Sequence, residues 1–186
     1  MVDQELYITS GFIENVAHEA AHAVIGHVLG LHVEEIEVYQ RSDEGGGAAH
    51  FAEYEIGTEA PAIMSAAGGA AVAEAQDGIR KHNSRARWVG DVEAADHVNT
   101  QWPDLSEEDR RVIRQYLERN YFSGVTGKRE YNRIKAEARR LVRENWPAIT
   151  QVMHALVEAS EDRAGESTSR IDRAAFLKAV EAAKAE

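Results

Sequence analysis

The sequence predicts a mainly α-helical α+β domain in which a small β-sheet lies beside a central amphipathic helix. Apolar residues recur at three- and four-residue intervals over residues 10–30, as in a helix that buries one face. Residues 33–39 and 48–54 have the composition of two short strands around a glycine-rich turn. Residues 105–186 carry repeated helix-start signals, each followed by an apolar stripe, and no strand signal.

Length and composition limit the domain organisation and the partners. A chain of 186 residues fits one domain, with residues 1–102 as its core and residues 103–186 as a C-terminal helical subdomain. The net charge of −11 argues against nucleic acid or an anionic membrane as a partner. The absence of cysteine excludes disulfides and thiolate metal sites. No apolar run has the length of a membrane span and residues 1–12 do not resemble a signal peptide, so we expect a cytoplasmic protein.

The central helix carries the strongest chemical motif, because residues 18–22 read HEAAH and match H-E-x-x-H. Residues four apart lie on one helix face, so His18 and His22 can bind a single zinc ion. Glu19 lies off that face, where a general base for hydrolysis would stand. A chance match is easier in a chain with eight histidines, but the amphipathic helix, which is expected to begin at Thr9 or Ser10 and end at Gly30, favours a metal site.

The glycine-rich stretch after the first strand has two interpretations. Residues 41–47 include three consecutive glycines, which favour a tight turn or a close backbone approach. A simple hairpin loop is the interpretation that the sequence alone slightly favours. The alternative is an exposed edge strand that pairs with an extended peptide beside the motif helix.

The remaining segments are predicted to be helices joined by polar connections. Residues 61–78 form an Ala- and Gly-rich helix, residues 79–88 a basic solvated loop, and residues 90–98 a short helix. Later helices begin at the capping residue Ser106, within residues 128–144, at Pro147 and after Ser169. A polar linker is expected at residues 161–168.

Two histidines make a poor zinc site, so a third ligand must come from elsewhere in the chain. Isolated histidines are more often structural or surface residues than ligands. Spacing alone does not separate Glu74 from Asp91, since both lie on Ala-rich predicted helices. The candidates outside the motif are Glu74, Asp77, Asp91, Glu93, Asp96, His97, His27, His32, His50, His82 and His154.

Three blocks, taken in order, resemble the peptidase domain of the FtsH-like zinc metalloproteases of family M41. Residues 17–31 (AHEAAHAVIGHVLGL) are similar to that family's HEAGHA helix. Residues 66–78 (AAGGAAVAEAQDG) are similar to its Gly-Gly-x-x-Ala-Glu helix, and residues 89–95 (VGDVEAA) to its Asn-Asp-Leu-x-x-Ala block. With the helical C-terminal region, the resemblance covers nearly the whole chain.

The resemblance implies a set of site residues. It implies zinc ligation by His18, His22 and Asp91, with Glu19 as the general base and Glu74 as a supporting carboxylate that orients a ligand histidine. The resemblance also implies a substrate-pairing edge strand at the position of five consecutive residues, namely Gly47, Ala48, Ala49, His50 and Phe51.

This chain departs from the family at three points. Ala21 replaces a glycine of the motif, and Gly90 replaces the asparagine before Asp91. The sequence also has no GxxxxGK[ST] loop of the kind that an ATPase module would carry. We therefore expect a soluble, stand-alone zinc metalloendopeptidase that acts on unfolded or short substrates, or that receives them from a separate unfoldase.

Two further functions fit the same residues. The first is a regulatory metallopeptidase that cleaves a single protein partner and uses Glu74 as the third ligand. The second is a non-catalytic interaction module that keeps the fold and holds the metal structurally.

Overall fold

The chain adopts the predicted mainly α-helical α+β fold, with a small sheet packed beside the motif helix. The structure is a computed structural model that describes residues 10–41, 44–83, 105–120, 124–163 and 166–185. The helices and strands in these ranges are α1 (Ser10–Val28), β1 (Val33–Arg41), β2 (Glu44–Phe51), α2 (Glu59–Asn83), α3 (Glu107–Asn120), α4 (Gly124–Glu144), α5 (Trp146–Glu158), β3 (Glu161–Arg163), β4 (Glu166–Asp172) and α6 (Arg173–Ala182).

Helix α1 lies at the centre of the packing and ends where the sequence predicts. Its buried face contacts α2, α5, β1 and β2. Gly30 adopts a φ of 85°, a left-handed conformation that glycine enters without steric cost. The Gly30 amide donates to the His27 carbonyl at 3.0 Å, and the Leu31 amide donates to the Gly26 carbonyl at 2.8 Å. This pair of hydrogen bonds is the Schellman pattern that closes a helix at a glycine.

The described strands form an antiparallel sheet in the order β2-β1-β4-β3, and β2 is an edge strand among them. Ile36 and Val38 of β1 point into the core. The prediction of a turn over residues 41–47 is wrong, because residues 44–47 belong to β2 and pair with β1. At Gly47 an added Cβ would lie 2.6 Å from the Glu37 carbonyl oxygen and 2.7 Å from Glu19 Cγ. The glycine therefore permits a close backbone approach within a strand.

The C-terminal region is not entirely helical, in contrast to the prediction. Residues 161–168, expected to be a linker, lie mainly in the β3–β4 hairpin, and β4 pairs with β1. The two predicted parts of the chain therefore contribute to one sheet. Ser169, expected to cap the last helix, lies in β4 and donates its hydroxyl to the Leu156 carbonyl. Asp172 is the N-cap of α6 instead, and its side chain accepts from the Ala175 amide at 2.9 Å.

Helix α2 packs closely on α1 through small side chains, as its Ala and Gly content predicts. Residues 61–72 are all buried, and neighbouring faces of α2 contact α3 and α4. Helix α2 continues to Asn83, so the prediction of a loop is wrong for residues 79–83. Residues 84–88 of that predicted loop and the predicted short helix at 90–98 lie outside the described residues. No helix in the described ranges combines the length and apolar character needed to cross a bilayer.

Candidate metal centre

Three side chains that could hold a metal ion converge where α3 approaches α1. His18 Nε2 lies 3.2 Å from Asp109 Oδ2, and His22 Nε2 lies 3.3 Å from Asp109 Oδ1. The candidate ligand atoms of the three residues all lie within 4.8 Å of one another. All three side chains are largely buried, with 13%, 8% and 8% exposed. Two imidazoles and a carboxylate are a donor set that suits a catalytic zinc ion.

His22 is oriented so that one ring nitrogen is available to a metal. Its Nδ1 lies 2.8 Å from the backbone carbonyl of Met64, which can only accept a hydrogen bond. Nδ1 must therefore carry the proton, and in the neutral ring Nε2 keeps its lone pair. A ligand histidine whose second nitrogen donates to a carbonyl is the usual arrangement at zinc sites.

Gly68 of α2 leaves room for the two imidazoles. A Cβ at this position would lie 2.6 Å from His18 Nε2 and 2.7 Å from His22 Nε2. Any side chain here would enter the space that the two nitrogens face. A glycine inside a helix lowers the helix propensity by about 1 kcal/mol relative to alanine. At position 68 the space that the two imidazoles need explains why a glycine is present. The surroundings of the histidines fit a metal in chemistry and in space.

Asp109 also forms part of the N-terminal cap of α3. The Asp109 amide donates to Ser106 Oγ at 3.1 Å. In return, Asp109 Oδ2 accepts from the Ser106 hydroxyl at 2.8 Å and from the Ser106 amide at 3.2 Å. This is a capping box in which aspartate takes the place of the usual glutamate. The predicted cap at Ser106 is confirmed, and the cap fixes the direction in which the Asp109 carboxylate faces the histidines.

We expect Ser106→Ala to weaken zinc binding by about 10-fold, because the Asp109 carboxylate loses the Ser106 hydroxyl and keeps only the longer hydrogen bond from the backbone amide. The cap is lost too, so the free energy of unfolding should fall by about 1 kcal/mol. Zinc affinity can be measured by competition with a chromophoric chelator, and stability by urea denaturation of the metal-free protein. Ser106→Thr is the matched control and should behave as wild type. An unchanged zinc affinity in Ser106→Ala would show that the cap does not position a ligand.

Glu19 lies beside the three converging side chains. It is only 8% exposed, and its carboxylate accepts a hydrogen bond from the backbone amide of Ala49 in β2. Burial raises the pKa of Glu19 above its ordinary value, while His22 and His18 act in the opposite direction. A carboxylate with a raised pKa is a stronger base than an exposed one.

A cavity of about 160 Å³ contains Glu19 and the three converging side chains. The rest of its wall is formed by residues of β2, α2 and α3 and of the segments that precede α2 and α3. The other residues that line it are Gly47, Ala48, Ala49, Phe51, Tyr54, Met64, Ser65, Ser106, Glu108 and Val112. A larger groove of about 620 Å³ runs along β1 and β4, but the histidines of the motif do not line it.

The charges of the centre are strongly coupled. Burial by itself would lower the pKa of His22, but the Asp109 carboxylate, followed by Glu19 and the Met64 carbonyl, raises it to about 9. Burial would raise the pKa of Asp109, yet the combined effect of His22 and His18 holds it well below its usual range. Without a metal, His22 and Asp109 are therefore a charged pair at neutral pH. A divalent cation that binds there must displace the His22 proton.

The other predicted metal-site residues lie elsewhere. Asp91 is outside the described residues, so its role as third ligand stays a prediction. Glu74 is ion-paired with Arg143 of α4, whose Nε lies 3.3 Å from its carboxylate. The orienting role predicted for Glu74 is filled at His22 by the Met64 carbonyl. Sequence reasoning missed Asp109 because its only local signal is that of an acidic residue in the first turn of a helix.

Four of the five predicted substrate-strand residues line the cavity, namely Gly47, Ala48, Ala49 and Phe51. His50 does not, since its Nε2 lies 3.1 Å from a Glu37 carboxylate oxygen in the adjacent strand. The predicted strand therefore runs along the candidate metal centre as an edge strand of the described sheet.

No protein-family model matches this chain, and no curated protein or solved structure matches it either. The resemblance to FtsH-like peptidases rests on the sequence blocks alone and stays a prediction.

Proposed function

We propose that this protein is a zinc metallopeptidase in which His18, His22 and Asp109 hold the zinc ion. The observation that carries the proposal is the convergence of both motif histidines on one buried carboxylate, with Glu19 in the same cavity. A purely structural zinc site is usually closed by four protein ligands. Three ligands beside a cavity and a buried carboxylate favour a catalytic site.

The proposed chemistry is hydrolysis of a peptide bond. Bound zinc would act as a Lewis acid that lowers the pKa of a water towards ~7 and polarises the scissile carbonyl. Glu19 takes a proton from the attacking water and later delivers it to the leaving amine. The hydrogen bond from the Ala49 amide holds the Glu19 carboxylate in place, and burial keeps that carboxylate basic enough for the first transfer.

The proposed substrate is an extended polypeptide. An edge strand offers free backbone groups to a peptide, and residues 47–51 of β2 run beside Glu19. A peptide added to this edge would bring its backbone next to the general base. Folded proteins seldom present a free extended strand, so unfolded chains or short peptides fit best. A separate unfoldase and a cytoplasmic location are further parts of this proposal.

Cleavage of an unfolded protein such as casein tests the proposal. We expect the zinc-loaded protein to cleave casein, 1,10-phenanthroline to stop cleavage, and added zinc to restore it. Zinc content measured on the same samples links the loss of activity to the loss of metal. A protein that binds zinc but cleaves no unfolded substrate would contradict the proposal and favour the non-catalytic interaction module.

A further inference from the structure

Tyr54 places a phenol in the wall of the metal cavity. It lies between β2 and α2 and lines the cavity that contains His18, Glu19 and Asp109. The Tyr54 ring packs edge-on against Phe51, with ring centroids 6.0 Å apart and an interplanar angle of 83°. This contact fixes the ring without using the hydroxyl group.

Charged groups of α3 lie near the Tyr54 phenol. They are Glu108, Arg111 and Asp109, all in the first turns of the helix. Glu108 and Asp109 line the same cavity as Tyr54. Burial, and then the Glu108 carboxylate, raises the pKa of Tyr54 above its ordinary value. The phenol is thus a neutral hydrogen-bond donor throughout the neutral range.

Three other polar groups that line the cavity already have partners. The Ser106 hydroxyl donates to Asp109, the Glu108 carboxylate accepts from Arg111, and Glu19 accepts from the Ala49 amide. The Tyr54 hydroxyl has no hydrogen-bond partner within the described ranges. It is a donor that a bound substrate can engage.

We propose that Tyr54 is a catalytic residue whose hydroxyl donates a hydrogen bond to the oxyanion that forms on the scissile carbonyl. This inference rests on the proposed peptidase function. Attack by water moves negative charge onto the carbonyl oxygen, and a donor already in place stabilises that charge more than it stabilises the ground state. The phenol keeps its proton throughout, so Tyr54 adds no proton transfer to those of Glu19.

Tyr54→Phe removes the hydroxyl and keeps the ring contact with Phe51. We expect kcat to fall by about 10²-fold, with KM and zinc affinity unchanged. A phosphinic peptide, which carries a tetrahedral anion at the scissile position, should bind about 10²-fold more weakly by titration calorimetry. Tyr39→Phe, which alters an exposed tyrosine of β1 outside the cavity, is the matched control and should leave all four quantities unchanged.

The outcomes separate this proposal from the proposed function. A Tyr54→Phe variant with wild-type kcat and wild-type phosphinic-peptide affinity overturns the role of Tyr54, while the wild-type activity still supports the peptidase. A loss confined to KM or to zinc affinity also overturns it, since that pattern indicates a structural or binding role. Wild-type protein that cleaves nothing overturns both proposals together.

Discussion

Replacing Glu19 by glutamine is expected to lower kcat for peptide cleavage by about 10²–10⁴-fold while zinc stays bound. The neutral amide cannot take a proton from water, whereas its oxygen can still accept the hydrogen bond from the Ala49 amide. The shape of the cavity and the three proposed ligands are unchanged. Steady-state hydrolysis of a fluorogenic peptide gives kcat, and metal analysis of the same preparation gives zinc content.

Glu34→Gln is the matched control, because Glu34 is an exposed carboxylate of β1 that does not line the cavity. It should retain wild-type activity. Full activity in Glu19→Gln would exclude Glu19 as the general base. Loss of zinc together with activity would indicate that Glu19 holds the site together and does not act in the reaction.

Removing the Asp109 carboxylate is expected to weaken zinc binding by at least about 100-fold. The effect should exceed that of Ser106→Ala, because a proposed ligand is lost and not merely a residue that orients it. Asp109→Ala would also remove the carboxylate half of the capping box of α3, so Asp109→Asn is the sharper variant. Asparagine still accepts hydrogen bonds from Ser106 and still caps a helix, but it offers no anionic oxygen to the metal. Chelator competition measures the affinity, and thermal denaturation of the metal-free variants confirms that they fold.

Two further variants test which residue is the third zinc ligand. The structure favours Asp109, whereas the sequence resemblance implies Asp91. Asp91→Asn and Glu74→Gln should each change zinc affinity by less than a few-fold if Asp109 is the third ligand. Loss of zinc in Asp91→Asn with full retention in Asp109→Asn would show that the ligand assignment is wrong. Loss only in Glu74→Gln would favour the alternative in which Glu74 binds the metal.

Helix faces, helix ends and helix caps could be predicted from the sequence, because each is set by residues a few positions apart in the chain. The H-E-x-x-H spacing fixes a shared helix face, Gly30 supplies the left-handed residue at the end of α1, and Ser106 caps α3. Each depends on contacts within a few residues. The edge position of β2 was one of two open interpretations, because strand order is set by partners elsewhere in the chain.

The position of Asp109 beside the histidines and two of the strands could not be predicted, because they depend on contacts between residues far apart in the sequence. Asp109 lies 91 residues after His18, and the packing of α3 against α2 brings the two together. The β3–β4 hairpin has a polar composition that is typical of a linker, and it becomes a strand pair because β1 offers a free edge. Gly45, Gly46 and Gly47 disfavour a strand by propensity, yet pairing with β1 holds them in one.

The zinc content of the purified protein is the most direct test of the proposed zinc site. After dialysis against metal-free buffer, we expect about one zinc per chain in the wild-type protein. We expect almost none in the double variant His18→Ala/His22→Ala, prepared in the same way. A wild-type protein that takes up no zinc even after incubation with it, or a double variant that retains one zinc per chain, would show that His18 and His22 do not form a zinc site.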